Sequence, residues 1–377
     1  MDDSVKRRRR IAIAALGGLA AGAFAFGVAL GDGTPAEESA ASKLTLPQLA
    51  GQRLVVGFEG TTPPAPVRRL VRQGRLAGVI LFAGNLPSRA SARRTVARLQ
   101  GIPRPPGLRL PLLVMIDQEG GLVKRLDGAP TASARQMGAR GAAFSREQGS
   151  RTAANLRGVG INVDLAPVLD IARPGSDTAA TERGFGRDPA GVVATAIPFA
   201  DGLRAGGVAA TAKHFPGLGG ARRNTDFSVQ RIGLPRATLR DVDEAPFAAF
   251  AEAGGELVML SSAIYPALSP RPAAFAPEIA TGELRQRVGF EGVSITDALG
   301  SVAVADFGGP AKAGIAATRA GTDVLLFTDP RAGERALAAL IAGLRSGRLR
   351  RAGFETSAGR VLRLRHILRG GPPADTD

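Results

Sequence analysis

The sequence predicts a single-domain (β/α)8 barrel, and three observations carry that prediction. Eight short apolar runs recur between residues 54 and 327, helical patterns alternate with them, and each run is bounded by Gly, Pro or Asp. The runs are nearly continuous in apolar character, as expected of strands buried on both faces of a parallel sheet wrapped in helices.

Taken in order, the runs are residues 54–58 (LVVGF), 78–82 (GVILF), 112–117 (LLVMID), 162–167 (NVDLAP), 209–215 (AATAKHF), 257–262 (LVMLSS), 293–297 (VSITD) and 323–327 (DVLLF). Helices are predicted over 65–73, 88–100, 145–158, 189–205, 239–253 and 312–320, with 331–344 and 356–368 closing the chain. An open doubly wound sheet is the alternative. It would carry a Gly-rich dinucleotide loop after its first strand, and the stretch Glu59-Gly60-Thr61-Thr62-Pro63-Pro64 is no such loop.

The length of 377 residues suits one barrel with appendages. The chain is 44% hydrophobic with 50 Gly and 26 Pro, enough apolar material for a large core and too many turn-formers for a helical bundle. It has no Cys, which removes disulfides, thiolate metal sites and a lipobox anchor, and only two histidines, His214 and His366. No metal site and no cofactor are expected.

Lys6 and Arg7 to Arg10 precede an uncharged stretch from Ile11 to Leu30, the layout of a cleaved export signal or of a signal-anchor that holds the chain to the membrane. Residues 1–31 are therefore assigned to that segment, 32–45 to a linker, 46–370 to the barrel and 371–377 to a disordered tail. The protein is expected to be exported and monomeric. The net charge of +16 is spread along the chain as arginine, and one Tyr with no Trp gives no stacking platform, which argues against a nucleic-acid partner. Outside a cell such a surface meets anionic lipid or wall polymers.

In a barrel, reactive groups sit at the carboxyl ends of the strands. Polar residues gather there: Asp117-Gln118-Glu119, Asp164 and Asp170, Lys213-His214, Ser261-Ser262 and Asp297. Carboxylates converging with Arg125, Lys213 and His214 suit attack at an anomeric carbon and hydrogen bonding to vicinal hydroxyls.

These residues also carry a family resemblance. The segments Asp117-Gln118-Glu119-Gly120-Gly121, Glu182-Arg183-Gly184-Phe185-Gly186-Arg187-Asp188-Pro189, Lys213-His214-Phe215-Pro216-Gly217 and Ser294-Ile295-Thr296-Asp297 resemble, in order and spacing, signatures of family 3 glycoside hydrolases. The likeness covers roughly residues 45–370 and is nearest to single-domain β-N-acetylhexosaminidases that act on peptidoglycan fragments. It implies that Asp297 is the nucleophile of a retaining reaction. It further implies that Asp117, Arg125, Arg183, Lys213 and His214 bind a terminal β-N-acetylglucosamine, with Glu119 supporting their loop. Plainer roles exist for each: Asp297 as a helix cap, Asp117 satisfied by the amides of Gly120 and Gly121, Lys213 and His214 as a buried pair closing the barrel, and Arg125 and Arg183 in salt bridges.

One departure stands out. The family's histidine acid/base, in an Asp-Ser-His segment, corresponds here to Asp226-Phe227-Ser228 in a longer loop. Serine has no useful proton-transfer pKa near neutrality. Three outcomes stay open: Asp226 acts as the acid, another residue reaches in, or the protein binds sugar without useful turnover. Arg222 and Arg223 would keep Asp226 ionised or would recognise an anionic group on the substrate. Asp164 is assigned to rim support, and the basic stretch 360–369 to a helix covering the barrel bottom.

Overall fold

The computed structural model describes residues 35–305 and 307–370. The expected signal segment and the tail 371–377 lie outside the described residues.

Eight parallel strands form one sheet: β1 (Leu54–Val56), β2 (Gly78–Leu81), β3 (Leu113–Ile116), β4 (Val163–Asp164), β5 (Ala209–Phe215), β6 (Leu257–Leu260), β7 (Val293–Thr296) and β8 (Leu325–Phe327). Their order is β7-β6-β5-β4-β3-β2-β1-β8, with β1 joined to β8 in the register Leu54↔Leu325. The sheet closes where Ile295 bridges Val324, and where the Thr296 and Val324 amides donate to the carbonyls of Val324 and Ser294 at 3.0 and 2.9 Å. This is the predicted (β/α)8 barrel, and each predicted strand contains an observed one.

The strands are buried on both faces, yet their residues divide by a period of two. Val55, Ile80, Met115, Met259 and Leu326 fill the interior, whereas Val56, Leu81, Ile116, Leu260 and Phe327 face the helices. Around the barrel run α1 (Pro35–Ser42), α2 (Ala65–Arg72), α3 (Arg89–Gln100), α4 (Ala142–Arg157), α5 (Pro189–Ala205), α6 (Ala245–Glu252), α7 (Gly309–Ala320), α8 (Pro330–Arg345) and α9 (Arg351–Ile367). Val361 and Leu364 of α9 join the interior cluster from below, so this helix closes the bottom of the barrel.

Three parts of the prediction need correction. Residues 35–42, assigned to a linker, form α1, which packs on α9. Ala41 and Leu44 are buried, and Arg351 donates to the carbonyls of Ser42 and Leu44 at 2.7 and 3.2 Å, so tertiary contact supplies the order that the composition does not suggest. The helix expected over 239–253 begins as a π-helical turn, Leu239–Asp243, before α6. A π-helix at Glu278–Arg287 escaped the periodicity because Glu283 lies in its buried stripe, paired with Arg240 and Arg287. No helix among the described residues is long and apolar enough to cross a membrane.

Candidate active site

After β3 the chain passes Asp117 into a tight hairpin, Gln118–Gly120 against Val123–Lys124. Gly120 and Gly121 have φ of 96° and 56°, the left-handed region that glycine enters at little cost, and a Cβ on Gly120 would lie 2.2 Å from the Ala132 carbonyl oxygen. Buried Gln118 locks the hairpin. Its Oε1 accepts from the amides of Arg125 and Leu126, and its Nε2 donates to the carbonyls of Leu126 and Ala129. This turn carries Asp117, Glu119 and Arg125 to the rim.

Lys213 and His214 are adjacent on β5, and adjacent strand residues ordinarily face opposite sides. Here the ladder shifts register between Lys213 and Phe215, and both side chains line the same cleft. Below them Gly217 makes the turn at φ 131°, where a Cβ would press on Asp243, and its carbonyl accepts from the buried Tyr265 hydroxyl at 3.1 Å.

A chain of ion pairs forms the floor. Lys213 Nζ lies 2.7 Å from both Asp117 Oδ1 and Glu119 Oε1, and Arg183 grips Glu119 through two 2.8 Å bonds. Burial opposes the charge on Glu119, but Arg183 and Lys213 outweigh it and hold the carboxyl well below the usual carboxylate range. Burial likewise opposes the charge on Lys213, and Asp117 with Glu119 turns the balance upward. Glu119, Lys213 and Arg183 are thus fixed in their charged forms. His214 is oriented by Asp170: Nδ1 lies 2.8 Å from Oδ2, while Oδ1 accepts from the amides of His214 and Leu218. The arrangement leaves the ring's Nε2 for the cleft.

Asp164 lies beneath this floor, fully buried, with Oδ1 accepting from the Gln118 amide and Oδ2 unpartnered. Burial pushes its pKa well above the ordinary 3.8. The folded state therefore holds the proton more tightly than the unfolded chain does. That contribution is present at low pH and is lost as pH rises toward the folded-state value. Asp164→Asn copies the protonated form. Urea denaturation across pH is expected to show the wild type losing stability relative to this variant above about pH 4. Parallel curves would show that folding leaves the pKa of Asp164 unshifted.

Asp297 follows β7, half-buried, with its amide donating to the Leu260 carbonyl and its Oδ1 accepting from the amide of Ala298. Asp226 reaches the cleft from the loop after β5. The 224–228 loop is latched to the segment after Asp297: the amides of Val302 and Ala303 donate to the carbonyls of Asp226 and Thr225 at 3.2 and 3.3 Å. Burial and then the charge of Asp297 raise the pKa of Asp226, while His214 and Arg183 act against them and the residue's remaining exposure to solvent limits the rise.

All seven candidate residues, Asp117, Arg125, Arg183, Lys213, His214, Asp226 and Asp297, line one cleft of about 390 Å3 at the carboxyl end of the barrel. Arg125 makes no ion pair among the described residues, so its charge is available to a ligand. Arg183 lines the cleft but spends its fork on Glu119. Ser228 does not line this cleft: its hydroxyl donates to the Asn224 carbonyl and accepts from Gln230. It faces a second groove of about 500 Å3 that continues past Asn224 and Phe227, where exposed Leu122 and Phe227 stand beside Arg222 and Arg223. The charged groups that act most on Asp226 are thus Asp297, His214, Asp117 and Arg183 rather than the two loop arginines. Sequence reasoning placed Asp170 among the polar residues of the rim, after the Ala166-Pro167-Val168-Leu169 segment that follows β4, and gave it no role. The apolar pair Leu122 and Phe227 had no signal at all.

Carboxylates and fixed cations gathered around an open cleft at this end of a barrel suit glycoside hydrolysis. Residues 45–364 match the model of the glycosyl hydrolase family 3 N terminal domain, and the chain belongs to that family. It is 35% identical over 327 residues to an uncharacterized secreted glycosyl hydrolase of Arthroderma benhamiae, covering 85% of this chain and 93% of the relative. It is 35% identical over 304 residues to a beta-hexosaminidase of Xylella fastidiosa, covering 78% and 88%. A solved family 3 beta-N-acetylglucosaminidase from a Paenibacillus species superposes with a TM-score of 0.83 at 32% identity, over 89% of this chain and 64% of that longer one.

Proposed function

We propose that the protein is a retaining β-N-acetylglucosaminidase, exported from the cytoplasm, that removes terminal β-N-acetylglucosamine from wall-derived saccharides. The observation that carries this reading is the convergence of Asp297 and Asp226 in one cleft with the Asp117–Lys213–Glu119–Arg183 network. The hexosaminidase relatives support the sugar, and the secreted fungal relative supports export.

In this mechanism a carboxylate oxygen of Asp297 attacks the anomeric carbon as the bond to the leaving oxygen breaks, giving a covalent glycosyl ester. Asp226 gives its proton to the departing oxygen, then takes one from the water that cleaves the ester. Asp117 accepts from sugar hydroxyls, Lys213 and Arg125 donate to them, and Nε2 of His214 faces the sugar from the same wall. Arg183 acts through Glu119. The groove bearing Arg222, Arg223 and Phe227 takes the leaving-group side, with cations suited to an acidic aglycone.

Asp226→Asn tests the assignment. Hydrolysis of a natural disaccharide is expected to fall by about 10²–10⁴. A p-nitrophenyl glycoside, whose leaving group needs little protonation, should lose far less. Its raised pKa should also place Asp226 on the basic limb of the wild-type pH profile, a limb that the variant lacks. Full-rate disaccharide hydrolysis by the variant would remove Asp226 from the role.

A second reading, sugar binding without useful turnover, is favoured by one observation: Ser228 stands where the family carries a histidine and is tied into its own loop. Binding of N-acetylglucosamine by a wild type that turns over neither substrate would support it.

A further inference from the structure

A strongly charged cavity outside the cleft lies at the opposite end of the barrel. A cavity of about 530 Å3 opens between the Glu278–Arg287 helix, α7 and the start of α9, at the amino ends of β1, β7 and β8. Six arginines line it: Arg53, Arg285, Arg319, Arg348, Arg350 and Arg360. Among the described residues no carboxylate lines it. Beneath them Asp323 is fully buried and already shared, with Arg285 at 2.5 Å on one oxygen and Arg360 at 3.1 Å on the other, and the charge of Glu291 also acts on Arg285.

The floor is built rather than incidental. Arg53 is buried, its guanidinium 4.5 Å from the centre of the Phe354 ring, and it donates to the backbone carbonyls of Thr322 and Asp323. Arg285 donates to the carbonyls of Phe290 and Gly292 and to the Ser294 hydroxyl as well as to Asp323. Burial lowers the pKa of both Arg53 and Arg285 to about 10, and in each the charge of Arg360 adds to the lowering while Asp323 opposes it. At the mouth, Arg319 and Arg350 are exposed and make no ion pair among the described residues, and Arg348 is exposed with only Ser346 as a partner. Six guanidinium groups around one enclosed space, with one shared carboxylate, leave a strong excess of positive charge. Planar guanidinium groups bind the oxygens of phosphate in pairs and carry their charge into partly buried sites more readily than lysine.

We propose that this cavity binds a phosphoryl group, at a site separate from the glycosidase cleft. The group comes from free phosphate or from the headgroup of an anionic lipid.

The test uses the full-length protein and a double variant, Arg319→Gln with Arg350→Gln, which alters only exposed side chains far from the cleft. One arm follows the melting temperature against inorganic phosphate, with potassium chloride at matched ionic strength as the control. The other follows co-sedimentation with vesicles of phosphatidylglycerol against vesicles of phosphatidylcholine. A saturable response to phosphate, weakened about tenfold or more in the double variant, supports the proposal with free phosphate as the source. A response only to phosphatidylglycerol, weakened similarly in the variant, supports it with lipid as the source. No response in either arm, or responses equal in wild type and variant, overturns it. Hydrolysis of a p-nitrophenyl β-N-acetylglucosaminide should be unchanged in the variant, which shows that the fold is intact and keeps this test independent of the proposed sugar chemistry.

Discussion

Asp297→Ala is expected to lose turnover of a p-nitrophenyl β-N-acetylglucosaminide by roughly 10⁴-fold or more, on the scale seen when a covalent nucleophile is removed. The side chain is half-buried, and among the described residues it accepts one hydrogen bond, from the amide of Ala298. Losing that bond costs on the order of 1 kcal/mol, so the variant should fold and still bind N-acetylglucosamine through the Lys213 and His214 side. Trapping the wild-type intermediate with a slow substrate and locating the adduct by mass spectrometry gives a second readout. An adduct elsewhere, or a variant with ordinary activity, removes Asp297 from the mechanism.

Glu119→Ala should produce the largest loss of stability of any single change at the site. Glu119 is buried and joins Lys213 to Arg183. Its removal leaves Arg183 without the acid that its fork grips and Lys213 with Asp117 alone. Breaking a buried pair by deleting one partner costs about 3–5 kcal/mol, because the cation left behind has lost both water and its counter-charge. The loss is read as a fall in the urea midpoint at constant slope. Since its two cations depress the folded-state pKa of Glu119, the stability it contributes is present above the unfolded-state pKa and fades as pH falls. The gap between wild type and variant should therefore narrow in acid. The kcat/KM should fall too, since Lys213 is no longer held between two carboxylates. A variant as stable as wild type at neutral pH would mean that the network is less desolvated than its geometry indicates.

The barrel was legible because parallel strands covered on both faces leave uninterrupted apolar runs, several of them closed by a turn-former such as Asp117, Pro167 or Asp297. The rim was legible for a related reason: Asp117 and Asp297 follow immediately on such runs, and Lys213 and His214 lie within one. What escaped was structure set by long-range partners. Helix α1 owes its order to α9, more than three hundred residues away in the chain, and Glu283 hides its helix because its charge is matched from Arg240 and Arg287. The task that Asp170 performs depends on the register shift that brings His214 toward it, and no local pattern records a shift of that kind. The direction of Ser228 is likewise fixed by Asn224 and Gln230 rather than by its place in the sequence.

The two main-chain bonds from Val302 and Ala303 to the carbonyls of Asp226 and Thr225 make one body of two loops that arise from different strands. If either loop swings to admit a saccharide, it carries the other along. The span between the two carboxyls is then held by backbone to backbone, much as the jaws of a clamp share a hinge pin, and adding a residue to either loop would change that span before it changed the mouth of the barrel.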